Sequence, residues 1–385
     1  MIGTRSSRRQ FLGLLVDGTA TALIPFVLRS SSVSRPRTVT AAQLIGPARE
    51  PLGPQKPADY TRLPRWRGFN LLEKFNVSDE RYNRPFEEWD FDSMAEWGFN
   101  FVRLPLDYRI WTLEAGGLLE EPLREIDQAV SWGRARSIHV NLCLHRAPGY
   151  CVNPPKEALN LWGEGQTGKE ALRQFAAQWG MLAARYRGIL PSELSFNLIN
   201  EPPDIITADQ YIRVAGVGVE AIHREDPERL IIADGASWGE RPVPELATLK
   251  IAQSAHEYAP MGLTQYRASW IPGADSWPTP TWPFLDGTNK ESLWKETVEP
   301  WRRLADMGVG VHVGEWGAYN RTPHQVVLDW MRDCLENWNR AGFGCALWNL
   351  RGSFGILDSE RTDVTYESYK GHKLDRKMLE VVRMS

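Results

Sequence analysis

The sequence predicts an α/β fold, a (β/α)8 or TIM barrel in a single domain. From about residue 66, eight short apolar segments with few charges alternate with helix-like segments, which is typical of parallel strands buried on both faces. Polar residues follow strand after strand at the same end, where such barrels carry their functional side chains. The predicted strands cover residues 68–71, 99–104, 139–144, 194–199, 230–233, 251–255, 309–313 and 344–348.

The alternative fold is an open, doubly wound sheet, which shares the alternation of strands and helices. Such a sheet often binds a dinucleotide through a G-x-G-x-x-G turn, and no such turn follows the first predicted strand. Eight strands in succession therefore favour the closed barrel.

The first residues are typical of an export signal. Arg8 and Arg9 precede Phe11 and Leu12, and a mildly apolar stretch follows, as in twin-arginine signals. The stretch falls short of the ~20 apolar residues of a spanning helix, so a retained membrane anchor is the less favoured alternative. We predict export through the twin-arginine machinery to the periplasm or beyond. The predicted parts are a signal over residues 1–42, a flexible leader over 43–64 and a catalytic domain over 65–385.

Composition limits the kind of partner. A net charge of −3 gives no basic balance for binding nucleic acid. Seventeen tryptophans exceed what a core of this size needs, and a flat apolar ring with one N–H donor suits sugars as well as cores. The four cysteines have no C-x-x-C spacing, so we expect buried free thiols; Cys143 with Cys151 is the least implausible bridge.

The connections between strands follow the same pattern. Apolar residues fall on one face of two clear helical segments, residues 168–188 and 208–226. The longest connection, residues 259–290, is rich in Trp, Pro and Gly, and long irregular loops are often functional. The final stretch, GHKLDRKMLEVVRMS, predicts a closing helix.

Six predicted strands end in polar or aromatic residues that would meet at the mouth of the barrel. Glu201 follows strand four and Glu315 follows strand seven, positions that face each other across an eight-strand ring. Two facing carboxylates are the equipment for cleaving a glycosidic bond. The remaining strand-end residues are Arg103, His145, Arg146, Asn200, His256, Tyr258, Trp348 and Asn349.

Several of these segments together resemble the cellulase-like glycoside hydrolases of family 5. NFVRLPLDY, NLCLHRAPGY, FNLINEPP, SAHEYAP, HVGEWGAY and ALWNLRGSFGILD are similar to the family's strand-end motifs, in the family's order. The resemblance spans roughly residues 65–382. It implies a retaining hydrolase of β-linked glucan-type or related glycans, with no metal and no cofactor.

The resemblance also implies a role for each matching residue. Glu201 would be the general acid and then the general base, and Glu315 the nucleophile. An acid near neutral pH needs a raised pKa, whereas an ionised nucleophile needs donors such as Arg103 and Tyr258. A cis peptide at Trp348–Asn349 is implied as well. The substrate-binding set would be Arg103, His145, Asn200, His256, Tyr258 and Trp348.

Alternatives remain for the activity and for single residues. An inverting or exo-acting glycosidase, or a catalytically inactive barrel that binds carbohydrate, would carry much of the same sequence. Arg103 could instead pair with Asp107 or Asp92, and Glu73 could reach a distal sugar. His139 and His312 lie within strands and are assigned to the barrel interior. Loop tryptophans that either stack on sugars or anchor the loop are Trp238, Trp270, Trp277 and Trp282.

Overall fold

The computed structural model describes residues 57–113 and 117–385, and the predicted export signal lies outside these residues. Eight parallel strands form a closed ring, because the first strand pairs with both the second and the last. The predicted barrel is therefore confirmed, and the open sheet is excluded. The strands are β1 (Arg67–Asn70), β2 (Phe101–Asp107), β3 (His139–Ala147), β4 (Leu194–Asn197), β5 (Leu230–Asp234), β6 (Ala252–Glu257), β7 (Val311–Trp316) and β8 (Cys345–Leu347).

The first strand is short and packed tightly against its neighbour. Gly68 lies opposite Phe101 in the register of β1 and β2. A β-carbon at Gly68 would lie 1.7 Å from the Phe101 carbonyl oxygen, so only glycine fits there. This close approach helps β1 to close the ring.

Helices cover the outside of the barrel. In the third, the buried residues Phe175, Trp179 and Leu182 recur at helical spacing and face the barrel. The fourth begins with a capping box between Thr207 and Gln210. The helices are α1 (Glu88–Glu96), α2 (Glu120–Ala135), α3 (Gln166–Arg185), α4 (Ala208–Glu225), α5 (Glu299–Asp306), α6 (His324–Ala341) and α7 (Arg376–Val382).

Two connections depart from a regular strand–helix alternation. The link from β5 to β6 holds only a 3-10 segment, Pro244–Leu249. The long link after β6 contains short helical pieces and a π-helical turn, Trp294–Val298, before α5. In this link the Trp282 Nε1 donates to Asp333 Oδ2 of α6 at 2.8 Å, which anchors the loop.

The closing helix is shorter than predicted. Glu367–Tyr369 and His372–Leu374 form an antiparallel hairpin, β9 and β10, in place of the first part of that helix. The turn has positive φ at both Lys370 and Gly371, a conformation that stops a helix. The helix then starts only where Asp375 caps α7.

Aromatic rings pack inside the barrel, at the end opposite the predicted site. Trp66 stacks on His139 with ring centroids 3.7 Å apart, and Phe101 packs against His312. Burial lowers the pKa of both histidines to about 3, so they are neutral core residues, as expected. All four cysteines carry free thiols, as expected. Every helix in the described part of the chain is too short or too polar to span a bilayer.

Candidate active site

Seven of the eight predicted site residues lie at or near the carboxyl ends of the barrel strands or in the loops that follow them. Arg103 is the third residue of β2, which continues to Asp107, so the predicted end of this strand at residue 104 is wrong. Hydrogen bonds and ion pairs link six of them in one network, and the other two form a stacked aromatic pair beside it. The six are Arg103, Asn200, Glu201, His256, Tyr258 and Glu315; the pair is His145 and Trp348.

Glu315 is the most enclosed carboxylate of the predicted pair. Its Oε1 accepts from Arg103 Nη1 at 2.5 Å, and its Oε2 accepts from the Tyr258 hydroxyl at 3.2 Å. Burial raises the pKa of Glu315 to about 7; His256 and Arg103 lower it, while the charge of Glu201 raises it further. The raised pKa thus falls on the residue that we expected to remain ionised. The reason is burial, because the Glu315 side chain is 3% exposed and that of Glu201 16%.

Glu201 sits on a strained stretch of backbone just after β4. Its φ is +50°, in the left-handed region that non-glycine residues seldom adopt. Its N–H donates to Asp234 Oδ2 at 3.1 Å, and its carbonyl accepts from the Tyr150 hydroxyl at 2.5 Å. One oxygen of its side chain lies within 4.8 Å of an oxygen of Glu315. At this distance the charge of Glu201 raises the pKa of Glu315, because two neighbouring carboxylates disfavour being ionised together.

Arg103 organises the floor of the site. Its guanidinium is 1% exposed and donates to the side-chain oxygens of Asn70, Asn197 and Asn200 at 2.8–3.0 Å, besides its bond to Glu315. Asn200 thereby uses its oxygen on Arg103, and its buried Nδ2 has no partner among the described residues. A buried N–H without a partner is a donor available to a ligand hydroxyl.

The two acids that were alternative partners of Arg103, Asp107 and Asp92, form ion pairs with other arginines. Asp107 pairs with Arg109 at 2.6 Å and with Arg146 at 3.6 Å. Asp92 pairs with Arg136 at 2.7 Å on the outside of the barrel. Arg103 therefore faces inward, toward the mouth of the barrel.

His145 and Trp348 line one side of the site with Phe75. The His145 and Trp348 rings stack with centroids 5.8 Å apart, and Phe75 meets both edge-on. His145 Nε2 faces Asn153 Oδ1 at 2.7 Å, which leaves Nδ1 as a buried acceptor that has no partner in residues 57–113 and 117–385. Burial lowers the pKa of His145 to about 3, so it is neutral. Trp348 is half-buried and presents ring surface to the cleft.

The expected cis peptide at Trp348–Asn349 is wrong. Cis bonds in the described residues all precede prolines. The N–H of Trp348 donates to the Trp316 carbonyl at 2.7 Å and holds the residue in place. The ~3–4 kcal/mol cost of a cis bond before a non-proline residue is therefore not incurred.

Three residues of this network were missed. Asp234, the last residue of β5, is fully buried and contacts Arg103, Asn197, Glu201 and His256. It carries the same strand-end signal as the others, but the predicted strand was ended one residue early. Asn70 at the end of β1 and Asn197 within β4 were read as ordinary strand residues.

The other candidate sugar contacts differ in exposure. Trp238 is 47% and Trp270 is 53% exposed, so both offer ring surface to a ligand. Trp277 is half-buried. Glu73 is buried in an ion network with Arg351 at 2.8 Å and Arg84 at 3.4 Å, so it is not presented to a distal sugar.

His256 lies between carboxylates on both sides of its ring. Its Nδ1 is 3.0 Å from Glu201 Oε1 and its Nε2 is 3.1 Å from Asp234 Oδ2. Burial alone would lower its pKa, but the charges of Glu315 and Asp234 raise it to about 10. Glu201, His256 and Glu315 are close enough together to surround an ion. The raised pKa of His256 favours its protonated form, in which both ring nitrogens are donors to the carboxylates around it.

A closed barrel with paired carboxylates at its carboxyl rim defines a glycoside hydrolase. The chain belongs to the cellulase family, glycosyl hydrolase family 5, whose family model matches residues 62–353. The family predicted from the motifs is confirmed.

Curated relatives and solved structures agree with this family. Cellodextrinase A of Ruminococcus flavefaciens is 25% identical over 292 residues, covering 72% of this chain and 82% of the relative. Endoglucanase C of Acetivibrio thermocellus is 24% identical over 336 residues, covering 78% and 95%. A crystal structure described as a glycoside hydrolase is 39% identical, with a TM-score of 0.77 over 83% of this chain and 98% of that one. The chain is thus an enzyme that hydrolyses O-glycosyl bonds.

Proposed function

We propose that the protein is a retaining β-glycosidase in which Glu315 is the nucleophile and Glu201 the acid and base. The observation that carries this proposal is the pair of carboxylate oxygens within 4.8 Å of each other. Retaining enzymes have carboxyl groups about 5–5.5 Å apart, whereas inverting enzymes need about 6.5–9.5 Å to admit a water. The spacing therefore favours double displacement.

In the first step, Glu315 forms a bond to the anomeric carbon as the bond to the departing sugar breaks. The departing oxygen takes the proton of Glu201. The productive form carries a proton on Glu201, and Arg103 and Tyr258 favour that form because both donate to Glu315. The free Nδ2 of Asn200 is placed to donate to the sugar 2-hydroxyl, a contact that strengthens in the transition state.

In the second step, water replaces the enzyme on the sugar. Glu201, now ionised, takes a proton from the water whose oxygen bonds to the anomeric carbon. The bond to Glu315 breaks and its carboxylate is restored. His256 remains beside Glu201 at 3.0 Å throughout and orients it for both roles.

The substrate that we propose is a soluble or short β-glucan, and the protein is an exported enzyme. A relative named cellodextrinase supports short chains, and relatives named endoglucanase support β-glucans. A relative named probable glucan 1,3-β-glucosidase A is 30% identical over 182 residues and covers 43% of this chain. An exo-acting enzyme on short oligosaccharides therefore stays the second candidate. Trp348 would be the platform at the cleavage point, and Trp238 and Trp270 would extend it.

Release of reducing sugar from soluble β-1,4- and β-1,3-glucans, mannan and cello-oligosaccharides tests this function. Glu315→Gln is the blank and Glu257→Gln is the matched control. Glu257 is a neighbouring buried glutamate that also has a pKa raised to about 7 by burial, yet it accepts from the Ala259 N–H outside the network. We expect activity that is lost in the blank and kept in the control.

The pattern of substrates decides among the alternatives. Activity on a polymer supports an endo-acting enzyme, and activity confined to oligosaccharides supports the exo-acting one. A protein that hydrolyses none of these glycans but binds one of them would be a carbohydrate-binding barrel, contrary to the proposal.

A further inference from the structure

Asp234 occupies a central position beneath the two catalytic candidates without facing the cleft. Its carboxylate is 0% exposed. Oδ1 accepts from Asn197 Nδ2 at 3.0 Å, and Oδ2 accepts from the Glu201 N–H and faces His256 Nε2, both at 3.1 Å. Arg103 Nη2 approaches Oδ2 at 3.4 Å. Every partner of this buried carboxylate therefore belongs to the site or supports it.

The hydrogen bond from the Glu201 N–H to Asp234 stabilises a strained backbone conformation at Glu201. A non-glycine residue at φ +50° persists only where the surroundings fix it. Asp234 accepts from the N–H of Glu201 on one side, and the Tyr150 hydroxyl donates to its carbonyl on the other. The two contacts aim the Glu201 side chain into the cleft.

The contact with His256 is an ion pair, because Nε2 lies 3.1 Å from Asp234 Oδ2 without the geometry of a hydrogen bond. One ring nitrogen faces Asp234, the other faces Glu201, and Glu315 Oε2 lies 3.7 Å away, so three neighbouring carboxylates favour a hydrogen on both nitrogens. His256 is then a permanent cation between three carboxylates. Its ring is fully buried, so solvent cannot take the place of any of them.

A count of charges shows what the third carboxylate does. Arg103 and His256 supply two positive charges, and Asp234, Glu201 and Glu315 supply three negative ones when all are ionised. One proton on the Glu201–Glu315 pair makes the buried cluster neutral, and this is the state that acid catalysis with an ionised nucleophile needs. Without Asp234, the cluster would be neutral with no proton on the pair.

We propose that Asp234 is a positioning residue that holds His256 as an imidazolium, aims Glu201, and thereby keeps one proton on the catalytic pair. The inference rests on the proposed roles of Glu201 and Glu315. Other charged or titratable groups that face Asp234 or His256 are Arg103 on β2, Cys143 and His145 on β3, Tyr150 after β3, Tyr211 on α4, Tyr258 after β6, and His312 and Glu315 on β7.

The first test uses the unaltered protein and needs no substrate. Protein labelled with 15N in its histidines is followed by NMR from pH 5 to 9, with His256→Gln used only to assign the His256 signal. We expect both ring nitrogens of His256 to stay protonated across this range. Titration of His256 near 6.5, the ordinary value for histidine, would overturn the proposal.

The second test compares Asp234→Asn, which keeps the shape and loses the charge, with Asp234→Glu, which keeps the charge. We expect the pKa of His256 to fall by at least about 1 unit in the amide variant, as loss of a buried charge requires, and to stay high in the carboxylate variant. We also expect kcat of Asp234→Asn to fall about 10- to 100-fold, with KM changed less than about twofold.

The two readouts separate the inference from the function on which it rests. An unchanged His256 pKa in folded Asp234→Asn refutes the role of Asp234, whatever the activity. The expected NMR result in a protein without glycosidase activity supports the charge cluster and refutes the proposed function. If Asp234→Asn does not fold, the titration of the unaltered protein still decides whether His256 is a fixed cation.

Discussion

Arg103→Lys tests whether the buried guanidinium organises the chemistry or only the fold. Arg103 donates to side-chain oxygens of Glu315, Asn70, Asn197 and Asn200. The lysine ammonium has only three N–H donors, so at least one of these four buried oxygens loses its partner. Because the three donors share one nitrogen, they cannot reach oxygens on all sides, and we expect a second oxygen to lose its hydrogen bond as well. At ~1–3 kcal/mol for each of the two unsatisfied groups, the free energy of unfolding should fall by about 2–6 kcal/mol.

The effect on activity should exceed this general loss of stability. Asn200 loses the hydrogen bond that sets its orientation, and Glu315 loses the Arg103 Nη1 hydrogen bond that stabilises its charge. A single charge-assisted hydrogen bond is worth ~1.5–3 kcal/mol, so kcat/KM should fall about 100-fold. The assay is urea unfolding and steady-state hydrolysis, on the same preparation, of the best substrate from the panel.

Arg229→Lys is the matched control. Arg229 is also buried, pairs with Asp226 and donates to the carbonyls of Tyr186, Ile189 and Leu194, but it lies just before β5 at the opposite end of the barrel. We expect a similar loss of stability with kcat/KM unchanged. If both variants lose stability alike and Arg103→Lys keeps kcat/KM within about threefold, the reasoning about Arg103 is refuted.

Two further predictions concern groups around the nucleophile. In Tyr258→Phe, the ionised form of Glu315 loses a hydrogen-bond donor at 3.2 Å, so the pKa of Glu315 rises. The acid limb of the profile of kcat/KM against pH should therefore move to higher pH, and an unmoved limb would contradict the role of this contact. Burial raises the pKa of Glu257 from 4.5 to about 7, so this group's stabilising contribution, complete below pH 4.5, is lost as the pH rises through 7. Glu257→Gln should therefore gain up to ~3 kcal/mol of stability at pH 8 relative to pH 4 in thermal or urea unfolding, and an equal effect at both pH values would be the opposing result.

The parts of the site that the sequence predicts are the polar residues that follow the predicted strands. Each short apolar segment has a definite end, and in a parallel barrel those ends share one rim, so Glu201 and Glu315 could be placed together from spacing. Arg103 reaches the same site from the third position of β2, which continues to Asp107. Asp234 was not predicted as a site residue, because an aspartate that follows an apolar segment is also a common first residue of a turn. Only the contacts in three dimensions distinguish the two roles.

Departures from the predicted elements have local physical causes. The C-terminal hairpin turns at Lys370 and Gly371, which both adopt positive φ, and a glycine in a two-residue loop between two strands is a local signal for such a turn. The raised pKa of Glu315 likewise depends on how deeply each carboxylate is buried, which spacing does not reveal. Trp282 and Trp270 stand in one loop with similar neighbours in sequence, yet one anchors the loop and the other is exposed.

The account rests on Glu315 as the residue that bonds to the sugar, and trapping that bond tests it most directly. The protein is incubated with the 2-deoxy-2-fluoro form of the aryl glycoside that it hydrolyses, because fluorine at C2 slows both steps by destabilising the electron-poor transition state. Peptide mass spectrometry then locates the sugar. We predict one adduct per chain, on Glu315, with turnover stopped until the adduct hydrolyses. An adduct on another residue, or turnover with inverted product and no adduct, would contradict the account.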